Sequence, residues 1–459
     1  MSRPDSSKRG ILRLPLELLQ DILACLADPR SLVCAIKASR TLYYSFKGNE
    51  QHILTVIMAN CIGAGVLREA QLTRDCTPPI LSTRVTVDPD ETPWDETPEE
   101  KLQDELWTYL ADFDLRGFQE AGNSAPKSWA ISDALALGNY HTEVVLPLKD
   151  RFIKAASDPA SCTMAAKLRG GLEVRPVTRL EEERICRALY RFELFRRFYG
   201  CSSRLRWVAE QEGIAVEFFL KFAPWEIAQL GCIHDFLCRQ IIPVFNEVAR
   251  HDVVWGNYRV GFDAKIEHGT IQHLLSLGLE EILAIARLQD SPYEERRQAL
   301  GPDEERPYGN FLFLWLSLID INIDARPGND PGLYTTLYSA PPFHPDPDPG
   351  PELIWRLSCP QDGSSLGLYE QHDWISRRWG YVFWDYARLQ GLILTGDALT
   401  SETWEPRVNP VQIPEPPPSA EEREASYQVR SSIYRRGGRG YWAEGDESRV
   451  QWPENTISS

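Results

Sequence analysis

The sequence lacks a long apolar run. Among its 459 residues, the longest mostly apolar stretch extends from Phe311 to Ile319, whereas a membrane-spanning helix needs roughly 20 residues. The amino terminus also lacks the apolar core of a signal peptide, because Arg13, Pro15 and Glu17 follow the polar residues 1–10 at once. We therefore expect no membrane association and a cytoplasmic or nuclear protein.

The cysteines lack the spacing of a metal site. There are ten, and no two of them form a C-x-x-C pair, which argues against structural zinc. Most, including Cys25, Cys34, Cys186 and Cys232, lie within apolar helical patterns. We expect buried, reduced thiols and no disulfide framework.

The chain has fewer basic than acidic residues, which gives a formal net charge of -17. Most of such a surface would repel phosphates, so we expect no general binding to nucleic acid or to anionic membranes. Any such binding would have to be local. Hydrophobic residues at 43% and aromatic residues at 10% are typical of a globular protein.

The catalytic and cofactor motifs that the sequence partly matches are all incomplete. Ser124-Ala-Pro-Lys127 matches the S-x-x-K of penicillin-recognising enzymes, but neither S-D-N nor K-T-G follows. Gly63-Ala-Gly65 lacks a third glycine and a preceding strand, so a helix break or close packing is favoured over a dinucleotide site. His268 and His273 do not fit H-E-x-x-H and are expected to be surface or capping residues. These patterns predict a non-catalytic protein without cofactor or metal.

The most informative stretch extends from Leu14 to Phe46. Pro15 suits the first turn of a helix, because its missing N–H would be unpaired there. A second helix is predicted from Asp28, a good N-cap, and Pro29. The apolar positions recur at helical spacing on the first two helices and continue on a third; they are Leu18, Leu19, Ile22, Leu23, Leu26, Leu32, Val33, Ile36, Leu42, Tyr43 and Phe46.

Three short helices bury too little surface to form an independent domain, so this unit needs a partner. This stretch resembles the F-box in the order of its residues, which is Leu14-Pro15, Glu17-Leu18-Leu19, Ile22-Leu23, Leu26, Asp28, Leu32-Val33 and Ser39-Arg40-x-Leu42. The resemblance implies binding to the Skp adaptor of a cullin-RING ubiquitin ligase. It implies these partner-binding residues: Leu14, Pro15, Leu18, Leu19, Ile22, Leu23, Leu26, Leu32, Val33 and Leu42.

The rest of the chain is expected to be an irregular helical domain, since no leucine-rich, WD40 or Kelch repeat is found. Its stretches from Leu180 and from Arg377 resemble the helical regions of fungal F-box-domain proteins. The aromatic residues near Trp379 are interpreted as core packing rather than as a ligand pocket. One basic and aromatic cluster, Tyr434 to Tyr441, resembles an RGG segment but is interpreted as part of a solvated tail.

The sequence therefore predicts a mainly α protein in which an F-box-like module precedes a larger helical domain and a disordered tail. The expected divisions are 1–10 leader, 11–60 F-box-like module, 61–98 connecting helix and Pro-rich linker, 99–405 helical domain and 406–459 disordered tail. By resemblance, the protein would recruit an unknown protein substrate to a ubiquitin ligase complex. The alternative is a soluble intracellular enzyme or ligand-binding protein whose amino-terminal hairpin is only structural.

Overall fold

The computed structural model describes residues 10–76, 128–157, 176–199, 218–266, 268–301, 311–313, 316–317, 338–358, 374–394 and 418–453. The chain divides into two compact units. The first comprises Met1–Arg151 with Val177–Leu194, and the second comprises Phe152–Pro176 with Phe195–Ser459. The first unit is thus larger than the predicted F-box-like module.

The first unit is helical throughout its described residues. Its helices are α1 Leu16–Ala24, α2 Pro29–Ala38, α3 Arg40–Gly48, α4 Glu50–Ile62, α5 Leu67–Asp75 and α6 Ile131–Tyr140, followed by the beginning of α7 Leu146–Ser157 and most of α8 Arg179–Tyr199. A 3₁₀ turn, Ile11–Arg13, precedes α1. Helix α1 packs against α3 and α4, and α2 packs against α3, α4 and α6.

Local capping signals place the short helices where the sequence predicts them. Asp28 caps α2, because its Oδ1 accepts a hydrogen bond from the Ser31 backbone N–H at 2.9 Å, and Pro29 is the first helical residue. Ser39 caps α3 by accepting from the Thr41 N–H at 3.2 Å. Pro15 stands one position earlier than predicted, at the N-cap of α1.

An ion pair lies inside the first unit. Arg191 Nη2 donates to Glu69 Oε1 at 2.9 Å, and each side chain is about 1% exposed. Arg187 Nη1 donates to the Gly65 carbonyl at 3.1 Å, and a side chain on Gly65 would collide with Glu183. Gly63 ends α4 with a φ of +95°. The predicted helix break and close packing at these glycines are both confirmed.

A π-helical turn, His141–Val145, separates α6 from α7. The sequence predicts an interruption here because Pro147 lacks an N–H and its ring crowds the preceding turn. His141 is buried in this turn; its Nδ1 lies 3.1 Å from the Tyr190 hydroxyl, and the two rings are stacked. Burial, followed by the nearby charge of Lys149, lowers the pKa of His141 to about 4.

The second unit is organised around α9 Pro224–His251. Its other helices are α10 Val253–Asn257, α11 Gly269–Leu275, α12 Leu279–Arg287, α13 Tyr293–Leu300, α14 Gly350–Ser358, α15 Trp374–Arg378, α16 Tyr386–Leu394 and α17 Ala420–Arg435, with a 3₁₀ turn at Tyr381–Phe383. Helix α9 packs against α10 to α15. The strands β1 Arg439–Gly440 and β2 Val450–Gln451 pair antiparallel.

Aromatic residues fill much of the core of the second unit. Trp379, Tyr381, Phe383 and Trp384 are all buried, and the Trp384 Nε1–H donates to the Trp379 carbonyl at 2.9 Å. Phe383 meets Phe152 edge to face at 5.1 Å. The interpretation of this aromatic stretch as core packing is confirmed.

The expectation of a disordered tail after residue 405 is wrong for residues 418–453. Ser419 and Glu422 form a capping box, in which Ser419 Oγ accepts from the Glu422 N–H at 3.1 Å and Glu422 Oε2 accepts from the Ser419 N–H. Helix α17 follows and packs against α10. The prediction of disorder rests on the Pro, Glu, Ser and Arg content after Pro406 and did not take this capping box into account.

Arg430 anchors α17 to the second unit. Its side chain is fully buried, and its Nη1 donates to the carbonyls of Ala249 at 2.5 Å and Asp252 at 2.9 Å. These carbonyls lie at the carboxy-terminal end of α9, where backbone oxygens lack helical partners. A side chain on Gly256 would collide with Arg430, so glycine permits this approach.

The mainly α class is confirmed for the described part of the chain. No single helix in those ranges is long and apolar enough to cross a membrane, although α4 and α5, bent by 111°, pass the same length and composition test as a pair. Residues 77–127, which include most of the predicted linker and Ser124-Ala-Pro-Lys127, lie outside the described residues.

We predict that His141 makes the stability of the first unit fall in acid. Its folded pKa of about 4 lies below the ordinary value of 6.5, so the unfolded state binds the proton more tightly. The contribution is therefore complete above about pH 6.5 and is lost as the pH falls towards 4, by roughly 3 kcal/mol in total. Urea unfolding of wild type and His141→Gln at pH 7, 6 and 5 measures it.

The exposed His52 provides a matched control. His52→Gln should keep the pH dependence of the wild type, whereas His141→Gln should flatten it between about pH 6.5 and 4. Identical pH dependence in wild type and His141→Gln would contradict the prediction.

We predict that Arg430→Met destabilises the second unit. Two carbonyls lose a charged donor in a buried position, so the free energy of unfolding should fall by about 3 kcal/mol or more. Thermal melting, with limited trypsin digestion mapped by mass spectrometry, should show a lower melting temperature and new cleavage within residues 418–453. Unchanged melting and cleavage would show that these hydrogen bonds contribute little.

Candidate partner-binding surface

Helix α1 carries apolar residues on two sides. Leu19 and Leu23 are buried in the first unit, whereas Leu18 remains 47% exposed. Because successive helical residues are about 100° apart, Leu18 and Leu19 cannot occupy the same face. The apolar stripe predicted from the sequence therefore divides into an inner part and an outer part.

The ten predicted site residues fall into three groups. Exposed are Leu14, Pro15 and Leu18; half-buried are Ile22, Leu26, Val33 and Leu42; buried are Leu19, Leu23 and Leu32. The buried three contribute to the unit's own core. The exposed and half-buried residues are those that a partner could contact directly without unfolding a helix.

Four further large apolar residues are exposed next to the predicted set. They are Ile11, Leu16, Tyr43 and Tyr44. Leu16 is 50% exposed and Tyr44 is 68% exposed, and the rings of Tyr43 and Tyr44 meet edge to face at 5.6 Å. Helical periodicity gave no signal for Leu16, because it lies about 200° from Leu18 around α1. Together, Ile11, Leu14, Leu16, Leu18, Tyr43 and Tyr44 are called the amino-terminal apolar surface.

Hydrogen bonds between helices hold this surface in place. Gln20 Nε2 donates to the Ser45 carbonyl at 3.1 Å and ties α1 to α3. Asn60 Nδ2 donates to the carbonyls of Ala24 at 3.0 Å and Leu26 at 3.2 Å. These carbonyls lie at the end of α1, so the Asn60 amide caps that helix from α4. The exposed residues are thus displayed on a fixed framework.

A buried polar network in the second unit is the alternative candidate for a site. It joins His234, Asp235 and Cys238 of α9 with Gln272 of α11 and Arg377 of α15. Asp235 Oδ2 accepts from Arg377 Nε at 2.7 Å, and its Oδ1 lies 3.2 Å from His234 Nδ1. Cysteine, histidine and aspartate are also the residue types of a nucleophilic catalytic triad.

The partners of His234 argue against that chemistry at this network. Gln272 Nε2 lies 2.9 Å from His234 Nε2, so the ring accepts there and donates from Nδ1 to Asp235. The nitrogen that would take the thiol proton is occupied, and Cys238 Sγ lies 3.8 Å from it. Burial, followed by the charge of Asp235, raises the pKa of Cys238 well above its ordinary value. This geometry gives the network a structural role, in which it links α9, α11 and α15.

Asp235 remains ionised within this network. Burial opposes its ionisation, but the charge of Arg377 and the hydrogen bond from His234 outweigh it and hold the pKa of Asp235 below its ordinary value. A buried carboxylate is tolerated when it is paired and hydrogen-bonded. The network therefore fixes α15 against α9.

The two histidines considered in the sequence do not form a metal site. His268 is the N-cap of α11, and its Nδ1 accepts from the Thr270 N–H at 3.3 Å. His273 is half-buried on the same helix. Within the described ranges, no group of three or more His, Cys, Asp or Glu side chains is arranged to hold a metal ion.

We predict that the thiols divide by exposure when N-ethylmaleimide is added to the native protein. Cys25 and Cys34 are exposed, so the expectation of buried thiols is wrong for these two, whereas Cys186, Cys232 and Cys238 are buried. Burial also raises the pKa of Cys186 to about 12, and the thiolate is the reactive form. Of these five thiols, mass spectrometry should find rapid labelling of Cys25 and Cys34 only, with all five labelled after denaturation. Rapid labelling of Cys238 in the native protein would instead support a catalytic role for the network around His234.

Comparison with known proteins provides no family for this chain. No family model matches the sequence, and neither the curated proteins nor the solved structures contain a significant match.

Proposed function

We propose that this protein is a substrate-recruiting adaptor that binds the Skp subunit of a cullin-RING ubiquitin ligase through its amino-terminal apolar surface. The proposal combines the F-box-like order of residues from Leu14 to Leu42 with the surface that the folded helices leave open. The first supports the proposed class of partner, and the second supports the proposed place of binding.

The observation that carries the proposal is the exposure of Leu14, Leu16 and Leu18. Leu16 and Leu18 are each about half exposed, although the helix that bears them is anchored by Leu19 and Leu23. A solvated helix needs apolar residues on its inner face only. Large apolar residues that stay exposed on more than one side of α1 mark an interaction surface.

The energetic argument favours a protein partner. Burying a leucine, isoleucine or aromatic side chain contributes roughly 1.5–3 kcal/mol, and a few such residues dominate most interfaces. Half-buried Ile22, Leu26 and Val33 would extend the same contact. Helix α1 also exposes two acidic residues, Glu17 and Asp21, so a partner would meet carboxylates beside the leucines.

The second unit takes the role of target binding in this proposal. Its core is filled by its own aromatic residues, so a target would be bound on its surface. The proposed protein does not itself transfer ubiquitin; it would bring a target close to a conjugating enzyme.

We predict that Leu14→Asp combined with Leu18→Asp abolishes binding to the Skp adaptor. Two carboxylates would have to be desolvated in an apolar contact, in addition to the loss of two leucines. The expected change is a Kd increase of at least about a hundredfold, because each leucine contributes roughly 1.5 kcal/mol or more. Isothermal titration calorimetry with the purified adaptor measures it.

The matched control is Leu277→Asp, because Leu277 is similarly exposed, at 42%, on the second unit. This change should leave adaptor binding intact. Circular dichroism should show that the Leu14→Asp, Leu18→Asp protein is folded, since both positions are exposed. A folded double variant with wild-type affinity would refute the proposed interface, as would a wild-type protein that does not bind the adaptor.

A further inference from the structure

A second surface lies where α17 leads into β1 and β2. Its exposed aromatic rings are Tyr258, which is 46% exposed, and Trp452, which is 41% exposed. Tyr434, in the last turn of α17 before the two-stranded ribbon of β1 and β2, is half-buried. Arg435, Arg436 and Arg439 are exposed beside them. These six residues are called the arginine–aromatic surface.

The guanidinium groups lie over the rings. Arg439 is 4.0 Å from the ring centre of Tyr434, and Arg436 is 4.8 Å from the ring centre of Trp452. Tyr434 also contacts Tyr258, with ring centres 6.3 Å apart. The surface therefore presents flat groups of two kinds, aromatic rings and guanidinium planes, side by side.

The backbone fixes the positions of these groups. Gly437 has a φ of +92°, and Pro453 lies against it, which brings the Trp452 end of the ribbon beside the end of α17. Gly438 packs against Ile433 and Val450, and the latter two belong to a buried cluster with Val253 and Trp442. The arginine-rich sequence is thus part of a folded element.

Positive charge at this surface is only partly neutralised. Arg436 Nη2 pairs with Glu447 at 3.5 Å. Arg439 Nη1 donates to the carbonyls of Tyr434 at 3.3 Å and Gly438 at 2.8 Å. Among the described residues, neither Arg435 nor Arg439 forms an ion pair with a carboxylate. The remaining acids of the ribbon, Glu444 and Asp446, lie at its turn, where Ala443 bridges to Asp446.

We propose that the arginine–aromatic surface binds single-stranded nucleic acid. Every base has a flat face that stacks on an aromatic ring or on a guanidinium plane, whereas phosphates pair with arginine side chains. Tyr258 supplies an open ring, Trp452 supplies the part of its ring that Arg436 leaves exposed, and Arg435 and Arg439 supply the charge. The binding is independent of the adaptor surface, which lies in the other unit.

The overall charge of -17 limits this binding without preventing it. Charges on exposed groups are screened beyond about 8 Å at physiological ionic strength, so a phosphate at this surface responds mainly to the nearby arginines. We therefore expect weak, salt-sensitive and sequence-tolerant binding. A duplex should bind less well, because its bases are already stacked on one another.

Fluorescence anisotropy with the full-length protein tests the proposal. The probes are fluorescein-labelled oligouridylate and oligothymidylate of about ten nucleotides, a duplex of the same length, and a labelled oligoglutamate peptide. Both single strands should bind. Arg435→Gln with Arg439→Gln should weaken binding and reduce the salt dependence of log Kd by about 1.4, for two lost phosphate contacts.

Trp452→Ala tests stacking without changing charge, and it should weaken binding by roughly fivefold or more. Lys154→Gln with Lys265→Gln is the matched control, since both lysines are exposed in the second unit and the same charge is lost. That control should bind like the wild type.

Three results would overturn the proposal. They are no wild-type binding of either single strand at low salt, equal affinity of the arginine pair variant and the lysine control, or tighter binding of the oligoglutamate peptide than of the single strands. The last would identify an acidic protein segment as the partner. If the arginine pair variant were unfolded by circular dichroism, the Trp452→Ala result would decide.

Discussion

Burying a charged side chain costs several kcal/mol unless it is paired, and this fold meets that constraint with pairs from distant parts of the chain. Glu69 pairs with Arg191 across 122 positions, and Asp235 pairs with Arg377 across 142. Arg430 reaches the carbonyl of Ala249 across 181. Each pairing replaces part of the lost hydration and also fixes one helix against another. The helices therefore hold definite positions through polar contacts as well as apolar ones.

Much of the local structure follows from the sequence, because capping acts over three or four residues. The Thr178 to Glu181 capping box is present at the start of α8, with the Glu181 N–H donating to Thr178 Oγ1 at 3.2 Å. Asp28 begins α2, and Pro224 begins α9. The partners of Arg191, Arg377 and Arg430 could not be predicted in this way. Their pairing depends on tertiary positions, which helical spacing does not encode.

The carboxy-terminal segment shows how composition misleads when tertiary contacts decide. Residues rich in Glu and Arg lack enough apolar surface to fold alone, and helix α17 has few apolar residues. Its stability comes from a docked arginine and from a ribbon that packs Trp442 and Val450 against Ile433 and Val253. Pro453 and the glycines at 437 and 438 shape that ribbon. Composition alone therefore predicted disorder where the structure has a helix and a two-stranded ribbon.

The candidate site was predictable in part, because helical periodicity identifies apolar positions but does not say which side is covered. Leu18, Leu19, Ile22 and Leu23 form one broad stripe in sequence, and the structure buries Leu19 and Leu23 while Leu18 stays exposed. A polar residue at Leu14, Leu16 or Leu18 would cost the fold little, since these side chains make up no part of the core. Leucine at these positions brings little packing benefit, because each side chain is largely open to solvent. The fold accounts for the buried leucines, whereas for the exposed ones we propose a partner.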